Sequence, residues 1–169
     1  MIIWLAGISG AGKTTLANCL TKKLKLNYPH TICLDGDEIR DLFGNDLGYS
    51  KEDRKVQISR IQRVAKFLDQ QGAIVVTAAL YSSKSITEYN RKNFKNYYEV
   101  YLKASIKLVA SEDVKKIYNG IMIGKEKNVV GIDIKWNEPK APDLTLNRDT
   151  GYVVENAAEN IIENIKSKI

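Results

Sequence analysis

The chain alternates short, uninterrupted apolar runs with longer stretches in which apolar residues recur every three or four positions. Ile2-Ile3-Trp4-Leu5-Ala6 stops at Gly7 and reads as a buried strand, and residues 13–25 follow as a helix. Residues 31–34 give a second short strand, residues 37–43 a short helix or turn, and residues 44–49 a loop. Ser50, with Asp53 three positions on, is a capping pattern for a long helix over residues 51–71. Ile61, Val64, Ala65 and Leu68 share one face of it, and Gly72 stands where a left-handed stop belongs. Residues 73–79 are the most apolar run, which predicts the central strand. Further strands are expected at 97–102 and 144–146, ahead of a final helix from about residue 151. Its Val154, Ala158, Ile161 and Ile165 make a core-facing stripe. This alternation predicts one α/β domain over residues 1–169, three-layered, with a mostly parallel central sheet and helices on both faces.

Composition narrows the function classes more than the fold. At 169 residues, 44% hydrophobic and 27% charged, the chain fits a single globular unit, with no repeat or linker to divide it. Cys19 and Cys33 cannot form a disulfide scaffold and read as small packing residues, and the single histidine, His30, cannot build a His-based metal site. The opening M-I-I-W-L-A-G lacks the basic region of a secretory signal, and no segment reaches the ~18–20 apolar residues that span a bilayer. A cytoplasmic protein with no membrane partner is expected. The net charge of +6 invites a nucleic-acid reading, but no run of basic residues exceeds two, so small anionic ligands explain the excess better. Trp4 is expected in the core, Trp136 in a lid or interface, and His30 in a loop.

The sharpest chemical signal is Gly7-Ile8-Ser9-Gly10-Ala11-Gly12-Lys13-Thr14, which fits G-x-x-x-x-G-K-[ST] between a predicted strand and a predicted helix. Glycines let consecutive N–H groups and the helix N-terminus point at phosphate oxygens. Gly7, Ser9, Gly10, Ala11, Gly12, Lys13, Thr14 and Thr15 are therefore the expected ATP-binding set. Lys13 would contact the β- and γ-phosphates, and the Thr14 hydroxyl would ligate Mg²⁺. A GTPase would add D-x-x-G and N-K-x-D segments, which are absent, and the apolar 73–79 run does not end in an acid. A small-molecule kinase fits best. Leu34-Asp35-Gly36-Asp37-Glu38-Ile39-Arg40 falls at the carboxyl end of the second strand, where open α/β sheets place ligands. Asp35 and Asp37 can serve as a Mg²⁺ ligand and as a base for an attacking hydroxyl, and Arg40 can meet a phosphate or sulfate bidentately. Taken alone, D-G-D is also an ordinary Asp-rich turn.

Together these segments resemble the adenylylsulfate kinase (APS kinase) family, in order and over nearly the whole chain. G-I-S-G-A-G-K-T-T matches the family's phosphate loop and L-D-G-D-E-I-R its L-D-G-D-x-x-R. D-L-G-Y-S-K-E-D-R (46–54) is similar to D-L-G-F-S-x-x-D-R, Y-Y-E-V-Y (97–101) to F-x-E-V-Y/F, and N-V-V-G-I-D (128–133) to N-F-T-G-I-D. Glu138-Pro139 and Pro142-Asp143-Leu144 echo E-x-P and P-E-L. The resemblance implies a P-loop kinase fold, a homodimer, and transfer of the ATP γ-phosphate to the ribose 3′-hydroxyl of a nucleotide mixed anhydride. It makes Lys13, Asp35 and Asp37 catalytic, with Thr14 and Asp35 toward Mg²⁺ and Asp37 favoured for the hydroxyl. Arg40 and Arg54 would hold the acceptor's phosphate and terminal group. Tyr49 replaces a phenylalanine that stacks on the acceptor base, while Ile132 and Lys115 fall on family positions near the acceptor. For Lys115 a solvated helix lysine reads equally well. Residues 112–133, with Gly120, Gly124 and Gly131, would form a lid.

The departures from the family pattern gather on the acceptor side. Val129 stands where the family has the phenylalanine that closes the base sandwich. Gln57 replaces an asparagine, Ser59 an arginine, and Leu80-Tyr81-Ser82-Ser83 the family's I-S-P-Y, so that Tyr81 and Ser82 become acceptor-side candidates. R-D-x-K-G-L-Y reads Glu112-Asp113-Val114-Lys115-Lys116-Ile117-Tyr118, turning an arginine into a glutamate. A lost stacking partner is worth ~1–3 kcal/mol. Drift within true adenylylsulfate kinases accounts for such changes. The favoured reading is another acceptor, with a smaller base and a less charged terminal group. Relatives that phosphorylate cytidine diphosphoramidate in capsule modification fit that description. A regulatory nucleotide-binding module and a nucleic-acid-binding ATPase leave the co-occurring motifs unexplained.

Overall fold

A computed structural model of the chain describes residues 1–80, 83–112 and 127–169. Five strands form one all-parallel sheet: β1 (Ile2–Ala6), β2 (Thr31–Asp35), β3 (Ile74–Ala79), β4 (Tyr97–Lys103) and β5 (Leu144–Asn147), in the order β2-β3-β1-β4-β5. Six α-helices are seen among the described residues: α1 (Lys13–Leu24), α2 (Gly36–Leu42), α3 (Lys51–Gln70), α4 (Lys84–Asn93), α5 (Ile106–Glu112) and α6 (Val154–Ile165). A 3₁₀ turn, Arg148–Thr150, follows β5.

Alternation along the strands builds the three layers. Ile3 and Leu5 of β1, with Val76, Ala78, Val100 and Leu102, pack on Leu16, Leu20 and Leu24 of α1 and on Ala158, Ile161 and Ile165 of α6. Ile2, Trp4 and Ala6 point the other way with Val75, onto Ile58, Ile61 and Ala65 of α3 and Ile39 of α2. The long helix forms as its ends dictate. Ser50 Oγ accepts from the Asp53 N–H (3.1 Å) and donates to the Asp53 carboxylate (2.7 Å), and Gly72 ends it at φ +86°.

Several expectations are revised. β1, paired with β3 on one side and β4 on the other, holds the centre; residues 73–79 are interior but second in the sheet. An unbroken apolar run reports cover on both faces, not rank in the sheet. The final helix starts at Val154, because the 3₁₀ turn and the left-handed Gly151 (φ +80°) occupy the chain before it. α4 and α5 are additions to the sequence reading. α4 buries Asn90 rather than an apolar stripe, pairing it with Gln62 Nε2 (2.7 Å), and α5 buries only Val109. Trp136 is half-buried and flanks both core layers, its ring 6.2 Å from that of Tyr101. His30 lies in an exposed turn, and Cys19 and Cys33 are half-buried free thiols.

Candidate active site

The phosphate loop leaves β1 at the carboxyl edge of the sheet and runs directly into α1. Two glycines bend it through left-handed backbone, Gly10 at φ +76° and Gly12 at φ +86°. Gly7 is required for a different reason: a Cβ there would lie 2.6 Å from the Leu102 carbonyl oxygen of β4. Lys13 is buried and its Nζ donates to the Ile8 carbonyl across the loop (2.7 Å). Ser9, Gly10, Gly12, Lys13, Thr14 and Thr15 line a cavity of ≈ 300 Å³; Gly7 and Ala11 shape the loop from behind without lining it.

β2 delivers the acids to the same cavity. Asp35, its last residue, is buried and caps α2: Oδ1 accepts from the Asp37 N–H (2.8 Å), and Oδ2 accepts from Thr14 Oγ1 (2.6 Å). Both carboxylate oxygens are thereby oriented. Thr14 and Asp35 form a pair of hard oxygen donors beside the phosphate loop, the type of partial set on which Mg²⁺ completes its shell with waters and phosphate oxygens. Among the described residues no group of three or more His, Cys, Asp or Glu could hold a metal ion. Asp37 is exposed at the mouth.

A second cavity, ≈ 60 Å³, adjoins the first and shares Gly36, Asp37 and Leu80 with it. Arg40, Tyr49, Arg54 and Gln57 line it. Arg40 is held by the Leu47 and Gly48 carbonyls (3.0 Å each), and Arg54 by the Tyr49 carbonyl (3.0 Å) and the Asn128 carbonyl (2.7 Å). Their guanidinium carbons sit 4.6 and 5.5 Å from the Tyr49 ring centre, a double cation–π contact. Burial lowers the proton affinity of Arg54 below that of an ordinary guanidinium, and the like charge of Arg40 adds to the effect. An anion between them relieves both penalties. Gln57 is buried on α3; its Nε2 donates to the Gly36 carbonyl (2.9 Å), and its Oε1 has no hydrogen-bond partner.

The remaining candidates are placed less directly. Val129 is buried and Ile132 exposed on the 128–133 turn, whose Asn128 and Val129 N–H groups donate to the Asp133 carboxylate. Neither lines the second cavity; the turn reaches it through the bond from Arg54 to Asn128. Tyr81, Ser82, Lys115 and most of the expected lid, including Gly120 and Gly124, lie outside the described residues. Glu112 is not on the acceptor side. It lines the phosphate-loop cavity together with Arg148, a residue the sequence reading passed over. The one available signal was position, because Arg148 is the first residue beyond β5, at the sheet edge that binds ligands.

Comparison with known proteins agrees with this geometry. The sequence profile described as adenylylsulphate kinase matches residues 1–147. A cytidine diphosphoramidate kinase of Campylobacter jejuni is 38% identical over 164 residues, covering 97% of this chain and 95% of that protein. A probable adenylyl-sulfate kinase of Bacillus subtilis is 39% identical over 171 residues, covering 99% and 86%. The structure of a Mycobacterium tuberculosis APS kinase in complex with AMPPNP and APS superposes with a TM-score of 0.89 at 28% identity, covering 98% of this chain and 96% of that one. No described helix is long and apolar enough to cross a membrane. With a parallel sheet, a phosphate loop and an adjoining arginine-lined cavity that meet at Gly36 and Asp37, the chain belongs to the adenylylsulphate kinase family and is an ATP-dependent kinase acting on a nucleotide substrate.

Proposed function

We propose that this kinase transfers the ATP γ-phosphate to the ribose 3′-hydroxyl of a nucleotide mixed anhydride, with cytidine diphosphoramidate the favoured acceptor and capsule modification the setting. The observation that carries the transfer is the junction of two pockets at Gly36 and Asp37, one lined by the phosphate loop and one by two arginines and a tyrosine. The acceptor preference is supported by valine at position 129, where the family has an aromatic residue, and by the Campylobacter jejuni relative. The alternative acceptor, adenylylsulfate, is favoured by the Bacillus subtilis relative and by the APS-bound structure.

In this scheme the loop N–H groups and Lys13 hold the β- and γ-phosphates, and Arg40 and Arg54 hold the anhydride while a base rests on Tyr49. Asp37, which lines both pockets, takes the proton of the attacking hydroxyl. The new bond joins the 3′-oxygen to the γ-phosphorus, the bond to the β-bridging oxygen breaks, and ADP leaves. Thr14 and Asp35 would hold Mg²⁺, which when bound supplies further charge neutralisation across the phosphates. A cytoplasmic homodimer belongs to the same proposal, and light scattering on the purified chain checks its oligomeric part.

A coupled ADP-release assay with matched concentrations of adenylylsulfate and cytidine diphosphoramidate tests the acceptor. A higher kcat/KM for the cytidylyl compound is expected. A clear preference for adenylylsulfate would return the chain to the true adenylylsulfate kinases, and equal ATP turnover with and without acceptors would remove the transfer itself.

A further inference from the structure

The donor cavity has a wall that the transfer scheme above leaves without a role. Arg148 NH1 and NH2 meet Glu112 Oε2 and Oε1 in a fork, each at 3.0 Å, and NH1 also donates to the Gly10 carbonyl of the phosphate loop (3.2 Å). The guanidinium lies 5.8 Å from the centre of the Tyr152 ring, and it approaches Gly12 so closely that a Cβ there would lie 3.9 Å from it. The Arg148 side chain is only 17% exposed.

The described lining of this cavity sorts into few parts. The phosphate loop and the start of α1 account for phosphates. Gly36, Asp37 and Leu80 are shared with the acceptor pocket, and Asp35 and Ala78 belong to the ends of β2 and β3. Glu112 and Arg148 remain. Arg148 has its charge balanced by a fork-to-fork carboxylate and NH1 committed twice, so it offers a donor not a bare cation but a flat, weakly hydrated face. Glu112 stands where the family pattern has arginine, and here the guanidinium arrives from the other side of the pair, 36 residues away in sequence.

We propose that the Arg148–Glu112 pair is the platform for the donor nucleobase. Arg148 stacks against the base, Glu112 fixes the plane of the guanidinium, and the bond to Gly10 sets the height of the platform above the phosphate loop. Arg148 is then a binding residue of the donor site, and Glu112 acts through it as a positioning residue.

The test is calorimetric titration of the full chain, with Mg²⁺ present, by ADP and by inorganic pyrophosphate, which has phosphates but no base. Arg148→Ala and Arg148→Lys are each expected to weaken ADP about tenfold while leaving pyrophosphate within about twofold, and Arg148→Trp, which keeps a flat face, to recover ADP binding. Equal weakening of both ligands would make Arg148 a phosphate clamp and overturn the proposal. Unchanged binding of both would reduce the pair to a structural tie and overturn it as well. Should Arg148→Ala fail to fold, the lysine and tryptophan variants decide the matter. None of these outcomes depends on which acceptor the enzyme uses.

Discussion

Asp35 and Asp37, two residues apart, stand in different surroundings. Asp35 is buried with both oxygens engaged, by the Asp37 N–H and the Thr14 hydroxyl, which fixes a carboxylate but leaves it poorly placed to collect a proton. Asp37 is exposed and faces both cavities. Asp37→Asn is therefore expected to cut kcat with little change in the KM of ATP, whereas Asp35→Asn should also weaken the Mg²⁺ dependence of turnover; steady-state kinetics over a Mg²⁺ series separates them. Lys13→Ala is expected to lower turnover by at least about 100-fold with the circular dichroism spectrum unchanged. Gln57 offers a finer check. A buried amide oxygen without a partner costs about 1–3 kcal/mol. Removing it in Gln57→Met also removes the bond to Gly36, so urea stability should stay within about 1 kcal/mol of wild type. The KM for the acceptor should rise all the same, because the side chain lines that pocket.

At the scale of elements, the site depends on how strand ends are anchored. Gly7→Ala would drive a methyl group to 2.6 Å from the Leu102 carbonyl oxygen, a backbone atom that cannot swing aside, and is expected to cost roughly 1–3 kcal/mol in urea denaturation. The chain after β5 is tied to the start of α5 by Asp149, whose carboxylate accepts from the Ser105 hydroxyl (2.6 Å) and N–H (2.9 Å). The hydroxyl bond first, then the backbone bond, hold the Asp149 carboxyl below the ordinary aspartate range. Its contribution is therefore complete at neutral pH and lost as pH falls through that depressed value. The stability gap between wild type and Asp149→Asn should accordingly close on acidification, which urea midpoints measured at successive pH values will report. Elements with contiguous signals were legible in sequence: the phosphate loop, the Ser50 cap, the Gly72 stop. α4 was not, because its buried contact is Asn90 with Gln62, and a polar pair leaves no apolar period to read. Glu112 and Arg148 were not either, since only the sheet order brings them together.

At the scale of the whole molecule, the buried basic side chains among the described residues gather at the two pockets. Of the excess that gives +6, Lys13, Arg40 and Arg54 are all buried or nearly so at the two pockets, and each is held by backbone carbonyls. The layers beneath them are apolar and tightly filled. Leu20, fully buried between β1 and α6, is a fair probe: Leu20→Ala is expected to cost about 2–5 kcal/mol, again from urea denaturation, with kcat of the folded fraction little changed. Finally, β1, the earliest of the five strands in sequence, stands in the middle of the sheet. β1 finds its partners at residues 75–79 and 97–101, and the loop that follows it rests on Leu102. A growing chain must therefore carry this wholly apolar segment with both edges unpaired until residues 75–79 are made, and with one edge open until residues 97–101, and such long-range pairing is slow and prone to self-association. Fragments ending before β4 leave one edge of β1 open and should need a chaperone to stay in solution.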